Sequence, residues 1–167
     1  MNELVPMSIK GLMLDPVSNS PIVVLKDEEE KFFLPIWVGI FEANAIALQL
    51  ENVATPRPMT HDLLKSAIAQ LDARVTRIVI NDLRDSTFFA QIRMMVTRAG
   101  ADTMLELDAR PSDAIALALR TEAPIYVAQS VLDQAQTITP DSDDDPDEKT
   151  KKWFENLDTE DLGKYKM

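Results

Sequence analysis

Lys31-Phe32-Phe33-Leu34-Pro35-Ile36-Trp37-Val38-Gly39-Ile40-Phe41-Glu42-Ala43-Asn44-Ala45-Ile46-Ala47-Leu48 is the stretch on which the fold turns. Up to Trp37 it is aromatic and β-branched, the composition of a strand. From Val38 the apolar positions Ile40, Phe41, Ala43, Ala45, Ile46, Ala47, Leu48, Leu50 and Val53 leave almost no polar side. They predict a helix of about 16 residues that is buried in a core or set against another subunit. A chain that changes period in this way mixes sheet and helix in one layered domain.

Toward the N-terminus, residues 4–14 and 21–26 read as strands, with Asp15-Pro16-Val17-Ser18-Asn19-Ser20 as the turn between them and Glu28-Glu29-Glu30 as a charged turn before the third strand. Three short strands in succession predict an antiparallel meander. Toward the C-terminus, Thr60 is a good N-cap for a second helix, with Asp62 in its first turn and Leu63, Leu64, Ala67, Ile68 and Leu71 as its apolar stripe. Arg74 to Leu83 reads as a strand with an Ile78-Val79-Ile80 centre buried on both faces. A turn at 84–87 leads to a half-exposed strand that alternates through Phe88, Ala90, Ile92, Met94 and Val96. Gly100-Ala101-Asp102 turns into a strand from Met104 to Asp108, and a third helix runs from Pro111 toward Pro124. A short strand at Ile125 to Val127 and a short helix at Ser130 to Gln136 complete the domain. The expected fold is α/β mixed (α+β): a mostly antiparallel mixed sheet packed with three main helices, plus a short C-terminal helical tail.

Composition narrows the chemistry. The 167 residues suffice for one domain and include no cysteine, which excludes thiolate nucleophiles, disulfides and cysteine-ligated zinc. The single histidine, His61, excludes two-histidine metal sites, and the four glycines form no G-x-G-x-x-G or P-loop. Net charge is −11, and ten of the 28 acidic residues fall after Ile138. That balance argues against an unaided grip on duplex DNA. No apolar run approaches the length of a membrane span, and MNELVPMSIKG lacks a signal-peptide pattern, so a cytoplasmic protein is expected. The expected organisation is a domain over 1–138, an acidic linker over 139–148 and an amphipathic helical tail over 149–167, with Trp153, Phe154 and Leu157 as its sticky face.

One internal echo carries the functional reading: Arg57-Pro58-Met59-Thr60-His61-Asp62 and Arg110-Pro111-Ser112-Asp113. Each sets Arg-Pro, a hydroxyl and an aspartate at a helix start, where free N–H groups and a nearby guanidinium receive phosphate. Capping accounts for the same residues: Thr60 as cap, prolines in the first turn, and aspartates that complement the dipole and pair with the arginines. Glu42, near the start of an apolar helix, is paired with an arginine, bound to a metal or raised in pKa. Asp108, just before the second Arg-Pro, is similar. Two weaker signals are the E-x-K of Glu29-Glu30-Lys31 and the arginines 74, 77, 84, 93 and 98 concentrated in one hairpin.

Three blocks, in order and spacing, resemble the bifunctional nuclease domain family: Leu34-Pro35-Ile36-Trp37-Val38-Gly39 with Glu42-Ala43 and Ile46; Arg57-Pro58-Met59-Thr60-His61-Asp62-Leu63; and Asp108-Ala109-Arg110-Pro111-Ser112-Asp113-Ala114-Ile115-Ala116-Leu117-Ala118. The resemblance implies a mixed α/β domain in a bacterial cytoplasm, commonly a homo-oligomer, whose plant relatives are described as acting on RNA and DNA. Carried onto this chain, it points to Glu42, Arg57, His61, Asp62, Asp108, Arg110, Ser112 and Asp113. The expected activity is phosphodiester hydrolysis of RNA or DNA, single strands favoured. In this reading His61, Asp62, Asp113 and Glu42 are catalytic and Arg57, Thr60, Arg110 and Ser112 bind phosphate. Glu42, Asp108 and Asp113 are the candidate ligands of Mg²⁺ or Mn²⁺. The alternative is a non-catalytic oligomeric binding module in which the same residues are structural and the tail docks on the protein itself or on a partner. Exposure discriminates between them: an open pocket lined by Glu42, His61, Asp108 and Asp113 favours catalysis, and sealed pairs favour binding.

Overall fold

The computed structural model describes residues 3–135; the expected linker and tail lie outside them. Eleven elements follow in chain order: β1 (Leu4–Leu14), β2 (Pro21–Asp27), β3 (Phe33–Trp37), α1 (Ile40–Leu50), α2 (Thr60–Gln70), β4 (Ala73–Arg84), β5 (Thr87–Arg98), β6 (Ala101–Ala109), α3 (Pro111–Thr121), β7 (Ile125–Ala128) and α4 (Gln129–Gln134). The seven strands form one sheet in the order β3-β2-β1-β7-β4-β5-β6. Only β7 and β4 run parallel, Ile125 beside Ile78 and Val127 beside Ile80, so the sheet is mixed but mostly antiparallel, as expected.

Turn chemistry accounts for the two halves of the sheet. Asp15 Oδ1 accepts the N–H of Val17 at 2.9 Å, and the expected meander β1-β2-β3 follows. In the second half, Asp85 and Ser86 both take positive φ, 48° and 59°, the two-residue geometry whose twist matches a β-hairpin. Ala99 and Gly100 repeat it at 50° and 76° between β5 and β6.

The core lies under the helices. Ile78, Val79 and Ile80 are fully buried, as the unbroken apolar run requires. Ala90 and Ile92 of β5 continue that layer toward Ala114, Ile115 and Leu117 of α3. α3 packs on β4 and β5 and is covered in turn by α1 and α2, which leaves it buried along almost its whole length.

Two expectations at helix boundaries need correction. α1 spans 11 residues rather than about 16. Gly39 is its N-cap, and at the other end Asn52 turns into the left-handed region while the Val53 N–H closes back on the Leu48 carbonyl at 2.8 Å. Thr60 is the first helical residue, not the cap: Met59 takes that place, and the Asp62 carboxylate reaches back to accept its N–H at 2.8 Å. A carboxylate at the third helical position supplies the acceptor, so no hydroxyl is needed at the cap.

Candidate active site

The first turns of α1, α2 and α3 meet in one polar chain. Asp113, in the first turn of α3, accepts twice at Oδ2 from Arg110, from Nε at 3.0 Å and Nη2 at 2.8 Å. Arg110, the N-cap residue of α3, also donates from Nη2 to Glu42 Oε1 of α1 at 2.8 Å. On the other side of Asp113, Oδ1 lies 2.9 Å from His61 Nε2 of α2. The order is therefore Glu42–Arg110–Asp113–His61, with the Glu42–Arg110 contact joining residues 68 positions apart.

Exposure peaks inside this chain, at Arg110, and falls toward both ends. The His61 residue is 8% exposed and the Glu42 side chain 17%, whereas the Arg110 side chain is 65% exposed. Asp113, between them, is partly open. Arg110 spends Nε and Nη2 on its two carboxylates, and the N–H groups of Nη1 meet no acceptor among the described residues. Asp113 first, and then Glu42, hold the guanidinium charge more tightly than usual and raise its pKa. Gly39 makes room for this arrangement, since a Cβ there would collide with Glu42 Oε2.

A second knot forms at Asp62, the neighbour of His61 in α2. Arg120 donates from Nε to Asp62 Oδ1 at 2.8 Å, from Nη1 to the Ala116 carbonyl at 2.9 Å and from Nη2 to the Ala45 carbonyl at 3.0 Å. Its side chain is only 3% exposed. Burial pushes the Asp62 carboxyl up, but the Met59 N–H and the Arg120 guanidinium outweigh that and hold it below the usual carboxylate range. Arg120 was not singled out from the sequence. Its signal there was an arginine on the apolar face of α3, which in a buried helix demands a partner.

The expected site residues thus separate. Glu42, His61, Arg110 and Asp113 come together, whereas Asp62 turns to Arg120 and braces three helices. Ser112 is buried in the first turn of α3, and Thr60 is exposed at the start of α2. Arg57 stands exposed in the loop before α2, with no ion pair among the described residues, rather than pairing with Asp62. Asp108 lies opposite Gln91 in β6; the strand's alternation turns it to the sheet face opposite the helices, because its neighbour Leu107 lies across from buried Ile92. Glu42, Asp108 and Asp113 do not gather, and no group of three or more metal-ligating side chains forms among the described residues. Arg110 already stands between Glu42 and Asp113 where a cation would bridge them.

Most of the weaker sequence signals resolve into local pairs. Lys31 binds Glu29 and Lys26 binds Glu30, so the E-x-K is a solvated turn. In the hairpin, Arg93 meets Glu106 at 3.1 Å, Arg84 meets Asp82 at 2.9 Å, and Arg77 lies over the Tyr126 ring.

The model of the bifunctional nuclease domain matches residues 23–140, which contain the whole of this chain of side chains. This protein belongs to the bifunctional nuclease domain family. It is 39% identical over 137 residues to an uncharacterised protein of Mycobacterium tuberculosis, covering 82% of this chain and 79% of that one. It is 30% identical over 124 residues to Bifunctional nuclease 2 of Oryza sativa subsp. japonica, covering 73% of this chain and 38% of the plant protein. Against Bifunctional nuclease 1 of Arabidopsis thaliana the identity is 28% over 120 residues, 71% of this chain and 36% of that one. The chain therefore spans little more than a third of its plant relatives. No helix of the described residues is long and apolar enough to cross a membrane.

Proposed function

We propose that the chain is a nuclease that hydrolyses phosphodiester bonds in single-stranded RNA or DNA at the Glu42–Arg110–Asp113–His61 chain. The observation that carries this is Arg110, fixed by two carboxylates yet mostly exposed, beside a partly open aspartate. A planar guanidinium held in place suits the phosphoryl oxygens, whose charge it neutralises as the transition state forms. Asp113, backed by His61, accepts the proton of a water molecule whose oxygen attacks phosphorus. The bond to the leaving nucleoside oxygen breaks, and the same proton returns to that oxygen through the Asp113–His61 pair. Glu42 keeps Arg110 oriented. The family membership and the names of the plant relatives support the substrate class.

The test is cleavage of labelled single-stranded RNA, single-stranded DNA and duplex DNA by the full-length protein, with Mg²⁺, Mn²⁺ or EDTA, beside His61→Ala and Asp113→Asn proteins checked for folding. Cleavage of single strands that both substitutions abolish supports the reading, and equal cleavage by all three proteins overturns it. Because Arg110 occupies the place between the two carboxylates, activity is expected to persist in EDTA.

A second reading has its own observation: every member of the chain is already paired, and His61 is almost sealed. If no substrate is cut, the network is a structural clamp in a binding module.

We also propose that the chain assembles with copies of itself. Phe41 is 85% exposed at the start of α1, and Leu105 and Leu107 are exposed on the helix-side face of β6, one strand beyond the cover of α3. Apolar surface of that kind is expected to be covered in an assembly.

A further inference from the structure

The end of α1, the loop residues 53–58, one side of α2 and Arg120 line a cleft of about 320 Å³. From this cleft we infer a nucleotide subsite: it takes one nucleotide unit of a single strand, with the phosphate on Arg57 and the base between Val53, Pro56 and Pro58. The inference rests on the nuclease reading for its substrate class but on the cleft's own chemistry for its fit.

Charge selects the phosphate. Both oxygens of Asp62, the acid that lines the cleft, are engaged, Oδ1 by Arg120 and Oδ2 by the Met59 N–H. Arg57 is therefore the uncompensated charge of the lining. Arg120 lines the cleft as well, and three of its five N–H donors are used within the described residues. A buried guanidinium with two donors to spare favours an anion or a carbonyl beside it. The Thr55 hydroxyl pins the loop by donating to the Arg57 carbonyl at 2.8 Å, so the arginine projects from a held backbone.

Shape and polarity select the base. Val53, Pro56 and Pro58 give flat apolar surface, and Gln49 gives an amide able to pair with a base edge. A volume near the lower end of small-molecule sites, roughly 300 to 1,000 Å³, admits one nucleotide and not a duplex. The cleft and the Arg110–Asp113 pair adjoin the same helical turn, since Asp62 lines one and its neighbour His61 contacts the other.

Isothermal titration of the full-length protein in EDTA with AMP, UMP, adenosine and inorganic phosphate tests this without any cleavage. Saturable binding of a mononucleotide, weakened at least tenfold by Arg57→Ala and by Gln49→Glu but less than twofold by Arg98→Ala, is the expected result. Arg57 is exposed and Gln49 partly exposed, so circular dichroism of both variants is expected to match wild type. No mononucleotide binding up to millimolar concentration overturns the inference, as does binding of phosphate alone with equal affinity or indifference to Arg57→Ala. Binding without cleavage overturns the nuclease reading alone, and cleavage without mononucleotide binding overturns the subsite alone.

Discussion

Arg120 and Asp62 form an ion pair at 2.8 Å in which the arginine is almost wholly buried and also donates to backbone carbonyls on two helices, Ala116 of α3 and Ala45 of α1. With Asp62 in α2, this one side chain ties all three main helices together. Removing one partner of a buried pair leaves the other unsatisfied, which costs about 3–5 kcal/mol. Arg120→Met is expected to lower stability by that amount and Asp62→Asn by somewhat less, because the aspartate is partly exposed. Urea denaturation checks both, and the double variant Arg120→Met with Asp62→Leu is expected to recover much of the loss.

Acid acts on the same pair. The Asp62 carboxyl is depressed in the folded state because the Met59 N–H and Arg120 outweigh the opposing effect of burial. A group depressed on folding adds stability above its unfolded pKa, about 3.9 for aspartate, and that stability is lost as pH falls through the folded value. The stability difference between wild type and Asp62→Asn is therefore expected to hold steady from pH 7 to about 5 and to shrink below about 4. Urea midpoints measured for both proteins over that range decide it. A difference that grows in acid would reverse the assignment.

Local rules explain what the sequence made legible. The hairpin at Asp85-Ser86, the doubly buried run at Ile78 to Ile80 and the switch of period at Val38 are each written within a few residues, and the sheet follows from them. The grouping of Glu42, His61, Arg110 and Asp113 was reachable because helix starts attract acids and arginines. Its connectivity was not, since nothing local tells Asp62 to choose Arg120, 58 residues away, over Arg57. Asp108 misled for a related reason: proximity in sequence to Arg110 hides that strand alternation points it to the other face.

Arg110 separates activity from stability. Its side chain is mostly exposed, so its pairs with Glu42 and Asp113 contribute at most about 1 kcal/mol to folding. Arg110→Ala is expected to leave the melting temperature within a few degrees while lowering cleavage of single-stranded RNA at least 100-fold, in line with loss of a transition-state donor, about 10²–10³. Arg110→Lys keeps charge but not the fork that spans two carboxylates, and is expected to recover only a small part. Equal rates for wild type and Arg110→Ala would remove Arg110 from the chemistry.

Gly39 tests whether the orientation of Arg110 matters in its own right. Its φ of −72° suits any residue, so Gly39→Ala carries no backbone strain; the added methyl meets the Glu42 carboxylate instead. Because that carboxylate ends a flexible side chain, it is expected to swing away and release Arg110 from one of its two anchors. Cleavage by Gly39→Ala is expected to fall about tenfold, with little change in melting temperature, and Glu42→Gln to fall similarly, each loss equivalent to about 1.4 kcal/mol of transition-state stabilisation. Combining the two is expected to cost little more than either alone, since both act through one contact. A fully additive loss would mean that Glu42 does something beyond holding Arg110.

Self-association is read from Phe41, Leu105 and Leu107, which are apolar and exposed among the described residues. Sedimentation of the full-length protein at micromolar concentration is expected to show an oligomer, and Phe41→Glu or Leu105→Glu to shift it toward monomer. Neither substitution touches the core, so each subunit is expected to stay folded by circular dichroism. A wild-type monomer would leave these side chains to some other partner and would weaken the oligomeric reading of α1. An oligomer indifferent to both substitutions would place the contact elsewhere on the surface.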